Sequence, residues 1–314
     1  MSQLFALSKK IKLNTGAYIP AVGLGTVCDE ENRSFFKDVV ITAIESGYRH
    51  IDTAWYYGTE PIIGEALQEV FAKGEIKRED LFITSKVWPS YHHNPSKSLE
   101  ESLTALKLDY VDLYLQHWPL GFASGDDGKP AVPKDANGDV NFARDFDHLD
   151  TYKELIKIYK ETDKVKAIGV SNYTVEKLQR LLKETDVVPA TNEVELHPHI
   201  PQVELVNFCN EHGIVVEAYS PLGSTGAPNL KIPLVTELAK KHDCFAVDIL
   251  ISYHVAAGRV VLPRSQNIER IKKGFTYVDL TAEELKALDD FGIKNPKRFV
   301  TDSWGKGIGF EHWD

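Results

Sequence analysis

The stretch "AVGLGTVC" (21–28) decides between two folds. An apolar strand running into glycines is how an open, doubly wound sheet announces a dinucleotide site, but that fingerprint, G-x-G-x-x-G, needs a third glycine where this chain has Cys28. A dinucleotide, if one binds, is not held in that manner. Outward from this point the chain alternates. "SFFKDVVITAIESG" (34–47) follows, with Phe36, Val39, Val40 and Ala43 at helical spacing and Gly47 placed as a C-cap. "YRHIDTA" (48–54) precedes "PIIGEALQEVFAKG" (61–74), "LFITSKVW" (81–88) precedes "PSKSLEESLTALKL" (95–108), and "VDLYLQHWP" (111–119) precedes "LDTYKELIKIYKETDKV" (149–165) after a long polar stretch. "KAIGVSN" (166–172) leads to "TVEKLQRLLKE" (174–184), and "TNEVEL" (191–196) to "VELVNFCNEHG" (203–213). "VVEAYSPL" (215–222) leads to helices between 233 and 257, and "RVVLPRS" (259–265) to "NIERIKKGF" (267–275). Eight strand-then-helix units predict an α/β fold with a parallel sheet closed as a (β/α)8 TIM barrel, one domain over residues 1–314. "KIKLNTGAYIP" (10–20) reads as an N-terminal β-hairpin turning at Asn14-Thr15-Gly16.

Composition narrows the function classes. The 314 residues are 43% hydrophobic and 26% charged, with a net charge of -10, so phosphate backbones and anionic membranes would repel the protein as a whole. Nucleic acid and membrane partners are therefore not expected. Cys28, Cys209 and Cys244 lie far apart without metal-ligand or disulfide spacing, which fits a reducing compartment. The start, "MSQLFALSKKIKL", lacks the apolar core of a signal peptide, and "CFAVDILISYHVAAG" (244–258) is interrupted by Asp248 and His254. A cytoplasmic protein is expected. The stretch 119–148, rich in Gly, Pro and Asp, reads equally as a functional loop or as a tolerated insertion.

The informative pattern is where polar residues fall. The second barrel strand ends in Asp52, the third in Lys86 and the fourth in Gln116-His117-Trp118; the later four end in Ser171-Asn172, Asn192-Glu193, Tyr219-Ser220 and Arg264-Ser265. A barrel gathers these ends on the face where its chemistry sits. Asp52, Tyr57, Lys86 and His117 supply groups for proton transfer, and no G-x-S-x-G motif competes with them. A phenol titrates near pH 10. A lysine ammonium about 4 Å away favours the phenolate by roughly 4 kcal/mol at an effective dielectric near 20, about three pKa units. Asp52, paired with Lys86, cancels part of this, and the expected result is a tyrosine tuned toward neutrality as a general acid.

Together "GYRHIDTAWYYGTE" (47–60), "SKVW" (85–88), "LDYVDLYLQHWP" (108–119), "GVSN" (169–172), "NEVELHP" (192–198), "EAYSPLGS" (217–224) and "LPRSQNIER" (262–270) resemble the aldo-keto reductases, in particular the aldose and aldehyde reductase branch and its fungal relatives. The likeness runs over almost the whole chain in the same order. It implies metal-free, NADPH-dependent reduction of aldehydes and some ketones by a monomer, with NADP+ as the oxidised cofactor. Tyr57 would then be the general acid, Lys86 and Asp52 would adjust it, and His117 would orient the carbonyl. Tyr219 would stack on the nicotinamide beside Gly25 and Thr26. Ser171, Asn172 and Glu193 would bond the carboxamide. Ser220, Leu222 and Ser224 would contact the pyrophosphate, and Arg264, Ser265 and Arg270 the adenosine 2′-phosphate. Val27, Tyr56, Trp88, Trp118 and Trp304 would line the substrate pocket, the last from a C-terminal loop over the active-site face.

Several residues depart from the family pattern. Glu193 stands where glutamine is common; it accepts a carboxamide N–H but cannot donate, and its charge near the pyridinium would favour oxidised cofactor. Arg264 replaces a common lysine, Gly274 a polar adenine contact, Val27 a pocket tryptophan, and Thr59 the asparagine after the catalytic tyrosine. Two rival readings remain. One is a metal-dependent barrel hydrolase using His197 and His199 with His92 and His93, although the other strand ends supply too few histidines. The other is a cofactor-binding regulatory subunit without turnover.

Overall fold

The computed structural model describes residues 6–313, so Met1–Phe5 of the N-terminal reading and Asp314 lie outside the described residues. The hairpin is present as β1 (Lys10–Lys12) and β2 (Tyr18–Pro20), with Ile11 paired to Ile19 and a turn closed by Leu13 and Ala17. The barrel strands are β3 (Leu24–Gly25), β4 (His50–Asp52), β5 (Phe82–Val87), β6 (Leu113–Gln116), β7 (Ile168–Ser171), β8 (Thr191–Glu195), β9 (Val215–Tyr219) and β10 (Val260–Leu262), each parallel to the next in that order. Val22 bridges Val261, and the amides of Gly23 and Gly25 donate to the carbonyls of Val261 and Pro263, which closes the sheet on itself. The first glycine of the opening motif serves this closure. A Cβ on Gly23 would stand 2.6 Å from a Leu262 methyl and 2.7 Å from the His50 ring, so any side chain there would force the seam apart.

Around the sheet run α1 (Arg33–Glu45), α2 (Glu60–Ala72), α3 (Pro95–Leu106), α4 (His148–Glu161), α5 (Val175–Glu184), α6 (Val203–Glu211), α7 (Pro233–Lys241), α8 (Ala246–Ala256), α9 (Ile268–Lys273) and α10 (Ala282–Lys294). Phe36, Val39, Val40 and Ala43 of α1 are buried as their spacing predicts. The helix α10 follows the last strand-helix unit and starts at a capping box, in which Thr281 accepts from the Glu284 amide and Glu284 accepts from the Thr281 amide. Among the described residues no helix is long and apolar enough to cross a membrane.

Alternate residues of each strand face the barrel axis, so neighbouring strands build layers. At the N-terminal end Phe82, Leu113, Leu115, Ala167, Ala190, Val260 and Leu262 pack together, and Leu13 and Ile19 of the hairpin plug that end. Burying each such side chain contributes on the order of 1.5–3 kcal/mol. The outward residues pack in a second, larger core beneath the helices. Moving along the axis, the inward layers turn polar. His50 and Thr84 share a hydrogen bond of 3.0 Å, and the next inward residues are Asp52, Lys86, Glu193 and Glu217.

Candidate active site

At the C-terminal mouth Asp52, Lys86, Tyr57 and His117 come together. Lys86, fully buried, donates to Asp52 Oδ1 at 2.5 Å, to the Thr53 carbonyl at 3.1 Å and to the Tyr57 hydroxyl at 3.4 Å. Tyr57 ends a single 3-10 turn, Trp55–Tyr57, which is stopped by Gly58 in the left-handed region (φ 64°). Two bonds fix that turn: Trp55 Nε1 donates to Glu101, and the Arg33 guanidinium donates to the Tyr57 carbonyl. The His117 ring stands edge-on to Tyr57 with centroids 5.5 Å apart and edge-on to Trp88 at 5.0 Å. Burial and the Lys86 charge both push the imidazole down, well below its usual value, so it is neutral and able to donate one hydrogen bond.

The tuning of Tyr57 runs opposite to the sequence expectation. Burial raises the phenol most, Lys86 lowers it, and Asp52 and Glu193 raise it again, leaving it above the ordinary tyrosine value. Burial is the main reason, and a second carboxylate on the lysine adds to it. Glu193 Oε2 lies 3.3 Å from Lys86 Nζ, a contact between strands that neither motif reveals on its own.

Beside this group Asn172 takes a left-handed backbone (φ 61°) and gives its amide hydrogens to the His117 carbonyl and to Ser171 Oγ. Its oxygen accepts from the Tyr219 hydroxyl at 2.9 Å, and Ser171 Oγ donates to the Glu193 carbonyl. Ser171 and Asn172 are thus bonded to their neighbours in this structure, and Asn172 holds the Tyr219 ring. Thr26 Oγ1 donates to the Asp52 carbonyl at 2.8 Å and ties the segment after β3 to the end of β4. Ser220 and Leu222 are half-buried in a tight turn after β9, and Ser224 is exposed at its end; Asn229 braces the turn from below by donating to the Pro221 carbonyl.

At the far end of the same face Arg264 and Arg270 are exposed, and Ser265 accepts from the Asn267 amide. Arg264 reaches no nearer than 4.0 Å to Asp29 and donates weakly to the Val27 carbonyl, while Arg270 has no ion-pair partner among the described residues. Two guanidiniums without strong partners suit a dianionic phosphate. Gly274, which terminates α9, has φ 63°, so the backbone itself selects glycine where a polar residue is common.

Of the five residues expected to line the pocket, four form one aromatic wall. Tyr56 stacks on Trp88 with centroids 3.7 Å apart and planes 6° from parallel, and Trp304 stands edge-on to both. Trp118 meets Trp304 edge-on at 6.4 Å. Val27 is 42% exposed on the rim and joins none of these ring contacts. The 119–148 stretch lies against this wall: Phe122 packs on Trp88, and the Ala131 carbonyl accepts the Trp88 indole hydrogen at 2.7 Å.

The C-terminal tail is packed, and its anchor was not foreseen from the sequence. Glu195, at the end of β8, accepts from Arg298, from the Phe299 and Val300 amides, and from His197. Arg298 lies over the rings of Phe310 and Trp313, and Trp313 packs edge-on to Trp118. The available signal was a glutamate inside a strand with the same parity as Glu193. His197 is engaged by Glu195 and His199 by the Asn295 carbonyl, whereas His92 stands edge-on to His93 and Phe146, so the four histidines of the metal reading do not converge. A cavity of about 480 Å³ beside the tail, lined by Thr174, Gln202 and Arg298, includes none of the candidate catalytic groups.

Comparison with known proteins agrees with this geometry. The sequence matches the aldo/keto reductase family over residues 21–293. It is 43% identical to a glycerol 2-dehydrogenase (NADP(+)) of Saccharomyces cerevisiae across 95% of each chain, and 42% identical to a D-galacturonate reductase of Hypocrea jecorina across 97% of this chain and 98% of that one. An aldehyde reductase of Saccharomyces cerevisiae is 40% identical across 95% and 96% of the two chains. The solved aldose reductase of Schistosoma japonicum superposes with a TM-score of 0.87 at 34% identity, covering 97% of this chain and 98% of that one. With the strand-end groups assembled on one barrel face and the match running through them all, the chain belongs to the aldo/keto reductase family.

Proposed function

We propose that the protein is an NADP(H)-dependent reductase of small aldehydes, and of some ketones, working in both directions between carbonyl and alcohol. The observation that carries this reading is the Tyr57 hydroxyl, 3.4 Å from a buried lysine and facing a neutral histidine at the mouth of the barrel. The names of its relatives, a glycerol 2-dehydrogenase and an aldehyde reductase among them, support this substrate class. NADPH, when bound, supplies the hydride that the carbonyl carbon accepts. Tyr57 gives its proton to the carbonyl oxygen and takes one back when the alcohol is the substrate. His117, as a neutral donor, holds that oxygen toward the phenol, and the wall of Tyr56, Trp88, Trp118 and Trp304 keeps water from the reacting carbon. Tyr219, held by Asn172, offers its ring face to the nicotinamide, and the exposed Arg264 and Arg270 fit a 2′-phosphate.

No observation favours a binding subunit without turnover, since all four proton-transfer residues are present and in contact. The test is the initial rate of reduced-cofactor consumption with glyceraldehyde in metal-free buffer, with NADPH and NADH side by side. A rate with NADPH well above that with NADH is expected. No consumption of either cofactor across a panel of aldehydes and ketones would overturn the reading.

A further inference from the structure

The ammonium of Lys86 has three hydrogens and four acceptors. Asp52 Oδ1 at 2.5 Å and the Thr53 carbonyl at 3.1 Å take two of them. The third is contested between the Tyr57 hydroxyl at 3.4 Å and Glu193 Oε2 at 3.3 Å, and that Glu193 oxygen is buried without a hydrogen-bond partner of its own. Both long distances describe a shared donor. We propose that Glu193 is a positioning residue for proton transfer: by competing with Tyr57 for Lys86, it sets the pH at which Tyr57 gives up its proton. The proposal rests on the reductase reading above and assigns this glutamate a task beyond contact with the cofactor.

The groups facing Glu193 are Asp52 from β4, Lys86 from β5, Glu217, its register partner on β9, and Tyr219 at the mouth. Around Lys86 stand Tyr57, His50, His117 and Glu60 as well. Burial, together with Asp52 and Glu217, holds the Glu193 carboxyl well above the usual carboxylate range despite the pull of Lys86. In the proposed order Glu193 takes its charge first and Tyr57 loses its proton afterwards. While Glu193 is neutral, Asp52 alone opposes the action of Lys86 on the phenol. Once it ionises, Lys86 serves two carboxylates and the phenol keeps its proton. Reduction, which needs the phenol, then persists to higher pH, whereas alcohol oxidation, which needs the phenolate, is deferred.

The experiment is the pH profile of kcat/KM for alcohol oxidation with NADP+, in wild type, Glu193→Gln and Glu193→Asp. Glutamine keeps the shape without the charge, and its rising limb is expected about one to two pH units lower than in wild type. Aspartate keeps the charge and is expected to track wild type. An unmoved limb in Glu193→Gln with only a changed KM for NADP+ would reduce Glu193 to a cofactor contact, and an equal shift in both variants would make the effect one of packing; either overturns the proposal. A second readout needs no turnover. At about pH 10–11, Glu193→Gln should show more phenolate absorbance than wild type, above the shared background of the other tyrosines, and the excess should disappear in the Glu193→Gln/Tyr57→Phe double variant. Identical spectra overturn the proposal, whereas the phenolate band without any aldehyde reduction would defeat the reductase reading and leave the Glu193 assignment standing.

Discussion

The two ends of the candidate site are built on opposite principles. At the barrel mouth Lys86 and Asp52 are buried and their polar atoms are fixed by contacts from other strands. At the phosphate end Arg264 and Arg270 are exposed and almost unpartnered. The buried end is organised before any ligand arrives, and its charges act through a medium that screens little. The exposed end gains its order only with an anion, in competition with water and salt. Changes at the first should be large, dependent on pH and indifferent to salt. Changes at the second should be graded and sensitive to salt.

The sharpest break of this contrast is Tyr57→Phe. General acid–base groups contribute typically about 10²–10⁴-fold in rate, so kcat for aldehyde reduction should fall by that factor. The phosphate end is untouched, and NADPH binding measured by fluorescence quenching should stay within about twofold of wild type. Turnover near the wild-type rate would remove Tyr57 from the proton-transfer role.

A second test probes the buried end through stability. Both oxygens of Glu217 lack a hydrogen-bond partner, and burial, with Asp52 beside it, pushes its carboxyl up to about 8. A carboxyl whose folded value lies above its unfolded one contributes stability that is complete below about pH 4.5 and is lost as pH rises toward 8. Glu217→Gln removes that loss. Its advantage over wild type in urea midpoint should grow between pH 5 and pH 8 and reach on the order of 1–3 kcal/mol. A difference independent of pH would mean that Glu217 is ionised in the folded protein throughout that range, as it is in the unfolded chain.

Much of this contrast could be read in the sequence. The strand-then-helix alternation gave the barrel because periodicity is local, and the ends of the strands exposed Asp52, Lys86 and His117 because polar residues at those positions stand out from apolar runs. Electrostatics was less legible. Two of the terms that set Tyr57, its own burial and the approach of Glu193 to Lys86, are properties of packing between distant strands, and the expected direction was wrong for that reason. The tail anchor was missed likewise, since Glu195 and Arg298 are 103 residues apart and meet only in the closed fold. The helix α10 is a different case: the Thr281-x-x-Glu284 capping box was in plain view, but it lies after the eighth unit, where the alternation had already been satisfied.

The smallest effect belongs to the exposed end, at Arg270→Ala. Arg270 sits on α9 with no ion-pair partner among the described residues, so its removal breaks no existing pair and should cost no measurable stability. On the proposed reading it removes a charge-assisted bond to a phosphate that NADPH carries and NADH lacks. Such bonds are worth about 1.5–3 kcal/mol, and solvent exposure places this one at the lower end, so the KM for NADPH should rise about tenfold while that for NADH is unchanged. Salt provides the decisive variable. In wild type the preference for NADPH should shrink as ionic strength rises from about 0.01 M to 0.5 M, because the Debye length contracts from about 30 Å to a few ångströms. In Arg270→Ala the slope should flatten, since fewer charges remain to be screened. Equal losses for the two cofactors would mean that Arg270 does not read the 2′-phosphate. A salt slope unchanged by the substitution would place the discrimination on Arg264, whose 4.0 Å approach to Asp29 gives it an internal competitor that Arg270 does not have.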